Sequence, residues 1–109
     1  MSAKISNRLL DIVNALPIKE GMRVLEIGCG LGVLARELSN HLGNGHILAI
    51  DRSAKAIQQA IASSRKELAT GKLSFRQVAV EEFELQPQEE FYDIAIAVRV
   101  GRSTDDTLN

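Results

Sequence analysis

The chain has 109 residues, of which 45% are hydrophobic and 25% charged, as is usual for one soluble globular domain. Its formal net charge of −1 provides no positive field that would gather nucleic acid or anionic lipid. No apolar run reaches the ~18 residues of a membrane-spanning helix, and one cysteine cannot form an internal disulfide. We therefore expect a single cytoplasmic domain spanning residues 1–109, with no membrane as its partner and with nucleic acid as the least favoured of the possible partners.

The first predicted element is an N-terminal helix within residues 1–18, where apolar residues recur at helical spacing before Pro17. A short apolar strand is then predicted for Met22–Gly28. Glycines alternate with other residues after this strand, and a further helix follows them. The glycines are Gly28, Gly30 and Gly32, and the apolar face of the helix carries Leu34, Leu38 and Leu42.

A second apolar strand, His46–Asp51, ends on a carboxylate, and Ser53 is placed to cap the next helix. We predict a third strand over Leu73–Val80 and a fourth over Phe91–Val100, joined by an acidic connection. Residues 101–109 form a polar tail. The buried face of the capped helix is expected to hold Ile57, Ala60, Ile61, Ser64 and Leu68.

This alternation of strands and helices predicts an α/β fold with a parallel sheet over residues 22–100. Right-handed crossovers favour the strand order 3-2-1-4 in a three-layer, Rossmann-like arrangement with helices on both faces. Ligands of such sheets bind beyond the carboxyl ends of the strands. Both the glycines and Asp51 follow or close strands at that edge.

The glycines, the start of the helix after them and Asp51 together predict a site for a nucleoside joined to an anionic group. Glycine lets a ligand approach the backbone without a Cβ in the way, and a carboxylate closing the second strand accepts hydrogen bonds from ribose hydroxyls. A dinucleotide fingerprint would place glycine or alanine at position 33, where this chain has Val33. Glu26 would repel a pyrophosphate but attract an ammonium group. An adenosine that carries an amino acid fits these features better than a dinucleotide.

The segment Val24–Gly32, followed by Leu48–Asp51, resembles the first two motifs of class I S-adenosylmethionine-dependent methyltransferases. The resemblance covers residues 20–98, the N-terminal half of that family's domain. It implies that S-adenosylmethionine is the cofactor, that the glycine loop wraps its methionine part, and that Glu26 supports this part. It also implies that Asp51 binds the ribose and that Arg52 lies beside the adenosine.

The third motif departs from the family, because many relatives have Gly-Asp-Ala-Glu where this chain has Val78–Glu81. Ala79 replaces the aspartate that would bind the adenine amino group, at a cost on the order of 1 kcal/mol. The backbone N–H of Val80 remains for an adenine ring nitrogen, and Ala97 would border the methyl-donor end by analogy. The cofactor-binding residues predicted in this way are Glu26, Gly28, Cys29, Gly30, Gly32, Asp51, Arg52, Ala79, Val80 and Ala97.

Length is the larger departure, because the family's sheet continues for further strands that build the substrate pocket. All five residues of Ile94–Val98 are apolar, which is typical of a strand with partners on both sides. We therefore expect a truncated domain, a fragment, or a subunit whose fourth strand pairs with a second copy or a partner chain.

Several questions remain open at the level of sequence. The first hypothesis is that the chain is a methyltransferase, complete or partial. The second is a non-catalytic binding module that works through a partner. A fragment of an NAD-linked oxidoreductase is a third and weaker hypothesis. No residue pattern identifies the methyl acceptor or a catalytic residue, and no cysteine–histidine cluster predicts a metal site.

Overall fold

The computed structural model of the chain describes residues 7–85 and 89–98. The elements in chain order are α1 (Asn7–Ala15), β1 (Arg23–Ile27), α2 (Val33–Ser39), β2 (His46–Asp51), α3 (Ala54–Ser63), α4 (Arg65–Ala69), β3 (Leu73–Gln77), a 3₁₀ turn (Val80–Glu82) and β4 (Ile94–Ile96).

The four strands form one parallel sheet in the order β3-β2-β1-β4, so the predicted α/β class, parallel sheet and strand order are confirmed. Strand β1 is central, and in its register Glu26 lies between Ala49 of β2 and Ile96 of β4. Because all four strands run in one direction, their carboxyl ends meet at a single edge of the sheet. The glycine loop after β1 and Asp51 at the end of β2 therefore come together.

One face of the sheet carries the main hydrophobic core. Alternate residues of the strands, such as Val24, Ile47 and Ala49, point towards the helices on this face and are completely buried. Buried apolar side chains of three helices join this cluster, namely Leu9 and Val13 of α1, Leu34, Ala35 and Leu38 of α2, and Ile57 of α3. Removing such apolar surface from water stabilises the fold by roughly 25 cal/mol per Å².

The opposite face is covered by irregular backbone. Leu25, Leu48 and Ile50 form its smaller core, against which Phe83 and Tyr92 pack. The guanidinium groups of two arginines lie over these rings, Arg23 4.7 Å from the centre of Tyr92 and Arg76 5.4 Å from the centre of Phe83. In the described part of the chain the helices thus cover one face only, and the expected second helical layer is not found there. The segment between β3 and β4 forms a 3₁₀ turn and irregular backbone instead of a helix.

Two predicted elements are shorter than expected. The third strand stops at Gln77, because Val80–Glu82 turns into a 3₁₀ helix. The predicted helix after Asp51 breaks at Ser64, whose backbone (φ −122°, ψ 25°) leaves the helical region. Ile61 was wrongly placed on the buried face, since it is 43% exposed.

The fourth strand is also shorter than predicted. It pairs with β1 only over Ile94–Ile96, and residues 91–93 lead into it without pairing as strand. The end of the predicted strand, residues 99–100, the polar tail 101–109 and the start of the N-terminal helix lie outside the described residues. None of the helices in the described ranges is long and apolar enough to cross a membrane.

Candidate functional site

The glycine loop leaves β1 by a sharp turn. Gly28, Gly30 and Gly32 all have positive φ, of 74°, 56° and 84°, a region that side-chain-bearing residues rarely adopt. The N–H groups of Gly28 and Cys29 both donate to the carbonyl oxygen of Ile50, at 2.9 and 3.0 Å. The loop is therefore fastened to the end of β2 as soon as it leaves β1.

The glycines of this loop differ in what surrounds them. A Cβ added to Gly28 or Gly30 would meet no atom within 4 Å, so both face open space. A Cβ on Gly32 would lie 3.1 Å from the ring of Phe75 and 3.2 Å from Ala60. Gly28 and Gly30 thus leave room for a ligand, whereas Gly32 allows the loop to pack against the core.

Asp51 links the loop to the start of α3. Its Oδ2 accepts a hydrogen bond from the N–H of Gly30 at 2.8 Å, and its Oδ1 accepts one from the N–H of Ser53 at 2.9 Å. Ser53 in turn caps α3, with its hydroxyl accepting from the N–H of Ala56 at 3.1 Å. Backbone donors therefore fix the orientation of the carboxylate, and each of its oxygens keeps a lone pair for a further donor.

Asp51 lines a pocket of about 180 Å³ at the carboxyl edge of the sheet. One wall comes from the ends of β1 and β2 and the other from the backbone that follows β3. The lining residues are Ile27, Gly28, Ile50, Asp51, Arg52, Val78, Ala79, Val80 and Glu81. A mostly apolar slot with a carboxylate at one side suits a flat ring joined to a sugar.

Glu26 is the most unusual charged residue of the site. It is 1% exposed, and its Oε1 has no hydrogen-bond partner among the described residues. Burial, together with the nearby charge of Asp51, raises the pKa of this carboxyl from 4.5 to about 7. An unpaired buried carboxylate is costly, so a cationic group close to it would be stabilised.

Cys29 has no features of a nucleophile. It is 7% exposed, and burial, with the charges of Glu26 and Asp51, raises its thiol pKa to about 12. Its contribution is its backbone, which belongs to the loop. No group of three His, Cys, Asp or Glu residues within 7–85 and 89–98 is arranged to hold a metal ion.

The structure brings the predicted site residues together to different degrees. Five of them line the pocket: Gly28, Asp51, Arg52, Ala79 and Val80. Glu26, Cys29, Gly30 and Gly32 belong to β1 and the loop beside it, and Ala97 follows the end of β4, which lies next to β1. Sequence reasoning missed the apolar lining of Ile27, Ile50 and Val78, which the closing positions of the predicted strands could have indicated.

A family model described as a methyltransferase domain matches residues 18–107. The chain belongs to this family. The match includes β1, the glycine loop, β2 and the pocket wall after β3, so the residues of the candidate site lie within it.

Curated relatives of this methyltransferase domain include two bacterial enzymes. A ubiquinone biosynthesis O-methyltransferase of Rhodopseudomonas palustris (strain TIE-1) is 38% identical over 87 residues, covering 79% of this chain and 31% of that protein. A malonyl-[acyl-carrier protein] O-methyltransferase of Bacillus anthracis is 36% identical over 95 residues, covering 86% of this chain and 33% of that protein. The chain thus spans about a third of the length of these relatives.

The fold has counterparts among solved structures. An S-adenosylmethionine-dependent methyltransferase from Thiobacillus denitrificans, solved in complex with S-adenosyl-L-homocysteine, superposes with a TM-score of 0.68 at 24% sequence identity. The superposition covers 95% of this chain and 42% of that protein. The methyltransferase domain described here therefore has the Rossmann-like fold of S-adenosylmethionine-dependent methyltransferases.

Proposed function

We propose that this methyltransferase domain binds S-adenosylmethionine across the carboxyl ends of β1 and β2 and forms the cofactor-binding half of a methyltransferase. The observation that carries the proposal is Asp51, which lines the pocket while backbone N–H groups hold both of its oxygens. This fixed acceptor lies beside a loop whose Gly28 and Gly30 leave open space. The match to the methyltransferase family also supports a cofactor-binding function.

The residues present fit this cofactor. Asp51 would accept hydrogen bonds from the ribose hydroxyls, and the backbone of Ala79 and Val80 would bind the adenine edge within the apolar slot. Gly28 and Gly30 would allow close approach of the methionine part. The unpaired oxygen of buried Glu26 supplies the negative charge that an ammonium group requires.

The bound cofactor supplies a methyl group activated by a sulfonium centre. The chain's own contribution is to bind and orient, because transfer of this kind depends mainly on the alignment of donor and acceptor. The glycine loop and the fixed carboxylate would perform that task without an acid–base pair. Relatives whose names refer to different acceptors match the same region, which supports a shared cofactor function for it.

Calorimetric titration with S-adenosylhomocysteine, with NAD as the control ligand, tests the proposal. We expect micromolar binding of S-adenosylhomocysteine, no heat with NAD, and loss of binding in Asp51→Ala. Asp11→Ala removes an exposed carboxylate from α1 and should bind like the wild type. A folded sample that gives no heat with S-adenosylhomocysteine, or an Asp51→Ala variant that retains wild-type affinity, would refute the assignment.

The second candidate is a non-catalytic binding module that acts through another chain. It is favoured by the edge of the sheet, where β4 pairs with β1 alone among the described strands. Ala95 on this strand is exposed, and Phe91 just before it is 83% exposed. We propose that a second copy or a complementary chain adds to β4, because a bare apolar edge favours strand addition.

A further inference from the structure

Arg36 lies in α2 and its side chain returns towards the glycine loop. Its Nη1 donates to the carbonyl oxygen of Leu31 at 2.9 Å and to the hydroxyl oxygen of Ser64 at 3.0 Å. One nitrogen thus joins the loop to the junction between α3 and α4. None of the sequence motifs indicated this connection, because Ser64 lies 28 residues from Arg36 in the chain.

Ser64, the partner of Arg36 in this contact, is a buried residue. It is 0% exposed and stands at the break between the two helices, where its hydroxyl faces Arg36 instead of solvent. A buried hydroxyl without a partner destabilises a fold, and the bond from Arg36 supplies that partner. The break that ends α3 early therefore places an anchor beneath the loop.

The guanidinium group also occupies the space next to Gly32. A Cβ on Gly32 would lie 3.2 Å from Nη1 of Arg36, as close as it would lie to Ala60. The N–H of Gly32 donates to the carbonyl oxygen of Cys29 at 3.0 Å, while the carbonyl oxygen of Leu31 accepts from Arg36. The peptide group between Leu31 and Gly32 is therefore fixed on both its sides.

We infer that Arg36 is a positioning residue that holds the glycine loop in its ligand-ready conformation before the ligand arrives, with Ser64 as its anchor. Arg36 does not line the pocket, so it acts on the ligand only through the loop. Loss of the bond would leave the peptide after Leu31 held only by the N–H of Gly32, and binding would then include the cost of ordering its carbonyl side. The identity of the ligand rests on the proposed function, whereas the ordering of the loop does not.

The test compares Arg36→Met, Arg36→Lys and a control, Arg65→Met, which removes an exposed arginine from α4. Two readouts are taken from each ¹⁵N-labelled protein: the backbone amide signals of Gly30, Leu31 and Gly32 without ligand, and the affinity for S-adenosylhomocysteine. The amides of Gly43 and Gly45, in the turn before β2, serve as internal reference signals.

We expect Arg36→Met to broaden or shift the loop amides, leave the reference amides unchanged and weaken binding about tenfold. Arg36→Lys should restore much of both readouts, because both bonds come from one nitrogen and a lysine ammonium also carries several donors. The control should match the wild type.

The inference is overturned by a folded Arg36→Met variant with wild-type loop amides and wild-type affinity. Should that variant fail to fold, Ser64→Ala removes the anchor on which the inference makes the position of Arg36 depend, and unchanged loop amides there overturn the inference equally. If the wild type itself does not bind S-adenosylhomocysteine, the proposed function fails, and the free-protein amide signals alone decide whether Arg36 orders the loop.

Discussion

Glu26 illustrates how a single residue can be held at the expense of stability. It lies in the middle of the sheet between Ala49 and Ile96, where no described donor satisfies its Oε1. Its pKa is raised to about 7 by burial and by the charge of Asp51. The unfolded chain releases this proton near 4.5, so between these two values the folded state holds a proton that the unfolded state has lost. Stability contributed by the neutral acid therefore falls as pH rises through this window.

Replacing Glu26 with Gln should consequently stabilise the protein at high pH. We expect Glu26→Gln to raise the free energy of unfolding at pH 8 by an amount on the order of 3 kcal/mol, with little of this gain at pH 5. Urea denaturation of both proteins at the two pH values measures the difference. Glu84→Gln, which alters an exposed acid, should show no such dependence. An equal effect of Glu26→Gln at both pH values would contradict the raised pKa.

At the scale of elements, the glycine loop combines two tasks in one short segment. Its first half, with Gly28 and Gly30, faces open space. Its second half is packed, because Gly32 lies against Phe75 of β3 and Ala60 of α3. Ligand contact and core packing are thus separated along the loop, and substitutions on the two sides should have different consequences.

We expect Gly28→Ala and Gly32→Ala to separate binding from stability. Both place an alanine at positive φ, but only Gly32→Ala also forces a Cβ against the core. Gly28→Ala should cost about 1 kcal/mol of stability, and Gly32→Ala about 3 kcal/mol. Among the variants that remain folded, Gly28→Ala should lose at least about tenfold in affinity for S-adenosylhomocysteine, since its methyl group enters the ligand space. Urea denaturation and calorimetry give the two values, and equal destabilisation by both variants would contradict this division of the loop.

At the scale of the whole molecule, the sheet is covered unequally. The helices pack on one face, while the other is covered by the segment after β3, which the ion pair between Arg76 and Glu89 helps to hold. Strand β4 pairs with β1 alone among the described strands. The methyltransferase domain also spans only about a third of its curated relatives. The pairing of β4 on one side only is the observation that supports the proposed strand addition.

The edge proposal predicts association that depends on concentration. In sedimentation experiments the dimeric fraction of the wild type should increase with protein concentration. Ala95→Lys should abolish the dimer, because it places a charge on the strand. Ala62→Lys makes the same change at an exposed position on α3 and should leave association intact. A wild type that stays monomeric at high concentration would argue against pairing between two copies of the chain. The partner at β4 would then have to be a different chain.

The sequence by itself determined the order of the elements, the parallel sheet and the position of the site at its carboxyl edge. These follow from local signals: apolar runs for strands, helical spacing between them, and Gly28 and Asp51 at strand ends. The family prediction is confirmed on the same residues. The roles of the individual site residues remain predictions, because they depend on a ligand.

Only the tertiary structure decided how distant side chains meet. The break at Ser64 was not predicted, and neither was its contact with Arg36, because helical periodicity does not encode contacts between distant residues. The unequal cover of the sheet and the unpaired oxygen of Glu26 likewise depend on what packs on each face. Local patterns specify which elements form and in which order, whereas the ends of elements, burial, pairing and the pKa of a side chain depend on neighbours brought together by folding.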